Sequence, residues 1–144
     1  MMVFSYEIIM LIGLLVGGLA GFGFNRFVGA RPERAREYYI LGLIVASMIY
    51  VVMAFLGDAS DTAIIVEAVG VLVFGVFVLL SVTHHAWWLG IGWLLHPVWD
   101  LAFHAPLGPW AHAPEWYVAA CLAFDVVVGV AILRALGSSN DSNA

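Results

Sequence analysis

The chain has 144 residues, of which 64% are hydrophobic and 10% charged, with five arginines, ten acidic residues and no lysine. A water-soluble domain of this size carries about 25% charged residues, because a small fold has more surface than core to cover. With a mean hydropathy of +1.03, the class is an integral membrane protein; a soluble enzyme, a disordered chain and a nucleic-acid binder are excluded, the last because five arginines against ten acids leave no basic footprint.

A hydrocarbon core about 30 Å thick needs roughly 20 apolar residues of helix. Five such stretches occur, at 3–24, 38–56, 62–82, 86–104 and 116–136, which predicts an all-α polytopic bundle of five transmembrane helices forming one domain over 1–136. The first stretch lacks a basic leading region and a small-residue cleavage site, so it is expected to be a retained anchor. It carries Gly13, Gly17 and Gly21 at four-residue spacing, a stripe that lets another backbone approach closely, within the bundle or across a homo-oligomer.

The first connection holds Arg26, Arg31, Arg34 and Arg36. Cytoplasmic loops retain arginine, so this loop is expected inside and the N-terminus outside. An odd number of spans then brings Arg134 to the cytoplasmic side as well, which independently supports five helices in a multi-pass protein of the cell membrane. The second connection, 57–61, is a tight acidic turn, the third is barely a turn, and 105–115, with three prolines, reads as an ordered loop. The polar tail 137–144 is expected to be disordered.

All five histidines and all six tryptophans lie between His84 and Trp116. Trp87, Trp88, Trp110 and Trp116 read as interfacial belt residues, while Trp93 and Trp99 sit deeper, as core filling or the wall of a cavity. In the fourth helix His96, Asp100 and His104 recur at i, i+4 and i+8 and so share one face, together with His85, Leu89, Gly92 and Trp93. Pro97 leaves the Trp93 carbonyl without its helical donor beside His96. His84, His85 and His112 are expected at the interfaces, His112 solvated.

Four carboxylates, Glu7, Glu67, Asp100 and Asp125, fall inside the spans, and no arginine reaches their depth. An ionised acid near the bilayer centre costs about 2.5–3.5 kcal/mol, so their charge must be met by protonation, hydrogen bonds or a bound cation. Glu7 is expected to snorkel outward.

The polar layer of Glu67, His96, Asp100, His104 and Asp125 suggests chemistry. Imidazole with carboxylate suits a divalent transition metal such as zinc or iron, with His96, Asp100, His104 and Glu67 as ligands and Asp100 and Asp125 handling protons. The expected function is a metal-dependent or acid/base enzyme in the outer half of the bilayer, acting on a lipid-soluble substrate. The alternatives are an ion or proton transporter and a non-catalytic membrane subunit whose polar residues lock helices together. A single deep histidine, His96, argues against a bis-histidine haem, and a lone Cys121 against an internal disulfide or a CxxC metal site.

The segment Gly92-Trp93-x-x-His96-Pro97-x-Trp99-Asp100-x-x-x-His104 resembles a recurring segment of an uncharacterised family of small prokaryotic integral membrane proteins, with Cys121-x-x-x-Asp125 a weaker match. The resemblance marks these positions and implies no mechanism.

Overall fold

The computed structural model describes residues 6–104, 108–110 and 112–141, with side chains through residue 136. Among the described residues five helices follow one another: α1 (Tyr6–Gly29), α2 (Ala35–Leu56), α3 (Asp61–Thr83), α4 (Trp87–Phe103) and α5 (Glu115–Asp141), with a short 3-10 turn, Pro32–Arg34, between the first two. Four are long and apolar enough to cross a membrane: Tyr6–Gly29, Pro32–Leu56, Asp61–Thr83 and Glu115–Leu136. The chain is therefore an all-helical membrane protein. At 17 residues, α4 is the shortest of the five.

Local chemistry sets several helix ends. Pro32 opens the 3-10 turn, where a missing N–H costs nothing. The Ser60 hydroxyl caps α3 by accepting from the Ala63 N–H at 3.3 Å. Helix α5 runs past residue 136 to Asp141, into the segment expected to be a disordered tail. An existing helix gains one hydrogen bond per added residue without a new nucleation step, and no proline stops this one.

Large apolar side chains point outward along the helices, as at Leu11, Leu15, Leu19, Leu72 and Leu79. In water such a surface would aggregate; here it is the face presented to lipid. Inside, Leu43, Phe74, Leu89, Trp93, Val128 and Ile132 form the main core. Trp93 has no exposed surface and donates its indole N–H to the Tyr39 carbonyl at 3.1 Å. Trp99 lies so close to Gly70 that a methyl there would meet the indole ring at 2.9 Å. Trp87 and Trp116 are the more exposed of the tryptophans expected in belts.

Helix α1 packs chiefly on α5, α4 on α5 and α3, and α2 on α3, whereas α1 and α2 scarcely touch. The Gly13/Gly17/Gly21 stripe faces α5 of the same chain: a methyl at Gly13 or Gly17 would collide with the Trp116 or Ala120 carbonyl oxygen. Between α4 and α5, Gly90 and Gly129 allow a similar approach, each bordered by a leucine of the other helix, Leu133 and Leu94. Removing Cβ where backbones meet is how apolar helices associate when lipid is as greasy as their own side chains. The Arg36 guanidinium donates to the Ser81 carbonyl, tying the start of α2 to the end of α3.

Candidate metal centre

The face predicted on α4 is buried from Leu89 through Gly92, Trp93 and His96 to Asp100, whereas His85 lies exposed in the turn before the helix begins at Trp87. His104 departs from it. That residue caps α4 with extended backbone, φ −110° and ψ 172°, so the helical period stops one residue before it. Its ring turns toward α3 and the loop preceding α5.

There, three side chains converge. Glu67 Oε1 lies 3.3 Å from His104 Nε2 and 3.2 Å from His112 Nε2, and all three side chains are at most 4% exposed. These contacts lack hydrogen-bonding geometry: Glu67 Oε1 and all four ring nitrogens of His104 and His112 have no hydrogen-bond partner among the described residues. Buried polar atoms are almost always satisfied, so five orphaned atoms at one place require an explanation. A tetrahedral ion with bonds of about 2.0–2.1 Å separates its ligands by about 3.3–3.4 Å, and lone pairs aimed at a common centre point past one another rather than at each other. Both the spacing and the absent hydrogen bonds fit that arrangement. Glu67, His104 and His112 could hold a metal ion. His112 is thus a correction to the solvated reading, because its ring is enclosed by the fold; that burial pushes its imidazole below the ordinary histidine range.

A second group forms around His96. Its Nδ1 is 2.8 Å from Asp125 Oδ2 in a hydrogen bond and 3.6 Å from Asp100 Oδ2. All three residues are at most 1% exposed and also lie within the spacing of a metal set. Unlike the first group, this one is substantially paired. Asp125 meets His96, Asp100 Oδ2 accepts from the Tyr50 hydroxyl at 2.9 Å, and Asp100 Oδ1 is buried without a partner among the described residues.

The residues expected as one ligand set are therefore divided: His96 and Asp100 lie in one group, Glu67 and His104 in the other. The two expected proton-handling residues, Asp100 and Asp125, stay together, both at Nδ1 of His96. Glu7 is exposed and belongs to neither group.

Tyr50 joins the groups. Its hydroxyl serves Asp100, while its ring stacks on His104 with centroids 4.2 Å apart and planes 10° apart. It also meets Tyr117 edge-on at 5.8 Å. A tyrosine well inside a largely greasy helix was the available signal, since its hydroxyl needs a partner once buried. A narrow crevice lined by Ser47, Glu67, Phe74, His96 and Trp99 runs between the groups, too tight for a water molecule.

No protein-family model, curated protein or solved structure matches this chain.

Proposed function

We propose that the protein is a membrane-embedded enzyme whose centre is a divalent transition metal, zinc or iron, held by Glu67, His104 and His112, and that it acts on a lipid-soluble substrate. The observation that carries this reading is the approach of His104 Nε2 and His112 Nε2 to Glu67 Oε1, at 3.3 and 3.2 Å, with none of the three buried atoms hydrogen-bonded among the described residues. Two imidazoles and one carboxylate would hold a divalent ion, which would supply Lewis acidity there. The chain's own residues do the rest. Tyr50 braces the His104 ring by stacking, and the His96–Asp125 pair, with Asp100 beside it, is a buried acid/base group able to hold a proton near the substrate.

In this reading all five helices span the cell membrane, with the N-terminus outside and the arginine-rich connection inside, so the metal end of the bundle lies in the outer half. A crevice without room for water favours a fixed centre over an ion path. The test is elemental analysis of detergent-purified protein. Close to one ion per chain is expected, lost in Glu67→Gln, His104→Ala and His112→Ala and kept in His96→Ala. Wild-type protein that retains no metal after loading with zinc, iron or manganese overturns the metal centre.

A further inference from the structure

Glu67 and Gly70 are three residues apart on α3 and so share one face of that helix, where both are buried. The space that Gly70 leaves is taken by Trp99 of α4. A Cβ at Gly70 would meet the indole Cε2 and Cζ2 at 2.9 Å and Nε1 at 3.2 Å. The edge of the ring that carries the N–H therefore lies against α3 about one turn from Glu67, at the crevice that both side chains line. From there the indole is within hydrogen-bonding reach of the Glu67 carboxyl. Other rings hold it in place: the Phe103 centroid is 4.5 Å away, and Phe74 meets it edge-on at 6.0 Å.

The two oxygens of Glu67 differ in their surroundings. Oε1 faces His104 Nε2 and His112 Nε2 and has no hydrogen-bond partner among the described residues. A donor that reaches the carboxyl without pairing with Oε1 is left with Oε2. An indole suits that position. Its N–H donates and cannot accept, and it carries no charge, so it holds a carboxylate without offering a rival cation. The last torsion of a glutamate is otherwise broad, and carboxylates that ligate a metal are themselves hydrogen-bonded, which fixes their orientation.

We propose that Trp99 is a positioning residue of the metal centre: its indole N–H holds Glu67 Oε2 and so turns Oε1 toward His104 and His112, with Gly70 as the seat that lets the indole approach. The inference rests on the reading of Glu67 as a metal ligand and adds to it a side chain that touches no metal. It also accounts for a tryptophan at this depth and for a glycine beneath it, neither of which core filling alone requires.

Two measurements on the detergent-purified full chain test it. In chelator-treated protein with nitrogen-labelled indoles, the Trp99 N–H resonance, identified by its absence when residue 99 is substituted, should shift in Glu67→Gln more than that of any other of the six tryptophans. Zinc affinity, measured by competition with a chromogenic chelator, should fall about tenfold or more in Trp99→Phe. It should fall equally when residue 99 is replaced by benzothienylalanine, which keeps the shape of the indole and has sulfur in place of the N–H, so that lost packing is not the cause. Gly70→Ala should also lower the affinity in the wild type and add little in the Trp99→Phe background, because the ring it displaces no longer holds Glu67. Full zinc affinity in the folded benzothienylalanine variant, or an indole resonance indifferent to Glu67→Gln, overturns the inference and leaves the metal centre standing. If Trp99→Phe fails to fold, the benzothienylalanine variant decides. A wild type that takes up no zinc overturns the metal centre, and the role of Trp99 falls with it.

Discussion

The Tyr50 ring lies flat against the His104 imidazole, 4.2 Å between centroids, while its hydroxyl donates to Asp100 on the far side. One side chain thus touches both polar groups, and two substitutions separate its roles. Tyr50→Phe keeps the stack and strips Asp100 Oδ2 of its donor, which should cost about 1–3 kcal/mol of stability with metal content nearly unchanged. Tyr50→Ala also opens a cavity and unbraces His104, so about 3–5 kcal/mol and a weaker metal affinity are expected. Thermal unfolding in detergent and metal titration measure the two effects; equal behaviour of both variants would mean that the ring does nothing for His104.

Whether a feature was legible in the residues depends on where its interaction lives. The apolar runs located all five helices because hydropathy is a local property, though α1 and α5 run on to Gly29 and Asp141, past the expected ends at 24 and 136, and α2 starts at Ala35, before the expected 38; Leu89, Trp93, His96 and Asp100 fell on one buried face because α4 keeps its period that far. His104 escaped because its backbone leaves the helix, which voids an i+8 argument. His112 lies beyond a proline-containing loop whose path no periodicity describes, and its partner is 45 positions back on α3. Tyr50 and Asp100 are 50 residues apart, a pairing decided by how α2 and α4 pack. Residue types announced a polar centre; its division into two groups is tertiary.

The paired group should matter for stability more than for metal. Asp125 and His96 are each 1% exposed and meet at 2.8 Å. Removing one member of a buried pair strands the other, typically at about 3–5 kcal/mol. Asp125→Ala is expected to lower the unfolding temperature strongly, and Asp125→Asn less, since an amide still offers His96 an acceptor. Both should retain metal in proportion to folded protein. Loss of metal from folded Asp125→Asn would instead place the ion at His96.

Neighbouring glycines on α1 offer an internal control for helix packing. Gly17 faces the Ala120 carbonyl, whereas a methyl on Gly18 would meet nothing within 4 Å. Gly17→Ala should destabilise by about 1–3 kcal/mol through overpacking. Gly18→Ala should be neutral or stabilise by up to about 1 kcal/mol from helix propensity. If both variants unfold at the same temperature, α1 does not rest on α5 through this stripe.

Orientation can be read with a membrane-impermeant thiol reagent. In a Cys121→Ser background, cysteine at Asp58, in the α2–α3 turn, should react in intact cells, and cysteine at Arg34, in the arginine-rich connection, only after permeabilisation. The reverse pattern would put the Glu67 end of the bundle in the cytoplasm.

Acid should release the metal and weaken the apoprotein through the same ring. A ligating histidine must be neutral, so protons compete with the ion. His112 is additionally held below the ordinary histidine value of about 6.5 by burial, which means that between that value and its own lowered one the unfolded chain binds a proton that the folded chain refuses. The contribution of this ring to stability therefore rises with pH through this interval: it is full above about 6.5 and is lost as the pH falls through the lowered value. Chelator-treated wild type should show this slope in denaturation measured from about pH 7 to 5, and His112→Phe, which keeps an aromatic ring without a titrating nitrogen, should flatten it. A slope unchanged in His112→Phe would mean that this ring is not enclosed against Glu67 and His104 in the folded protein.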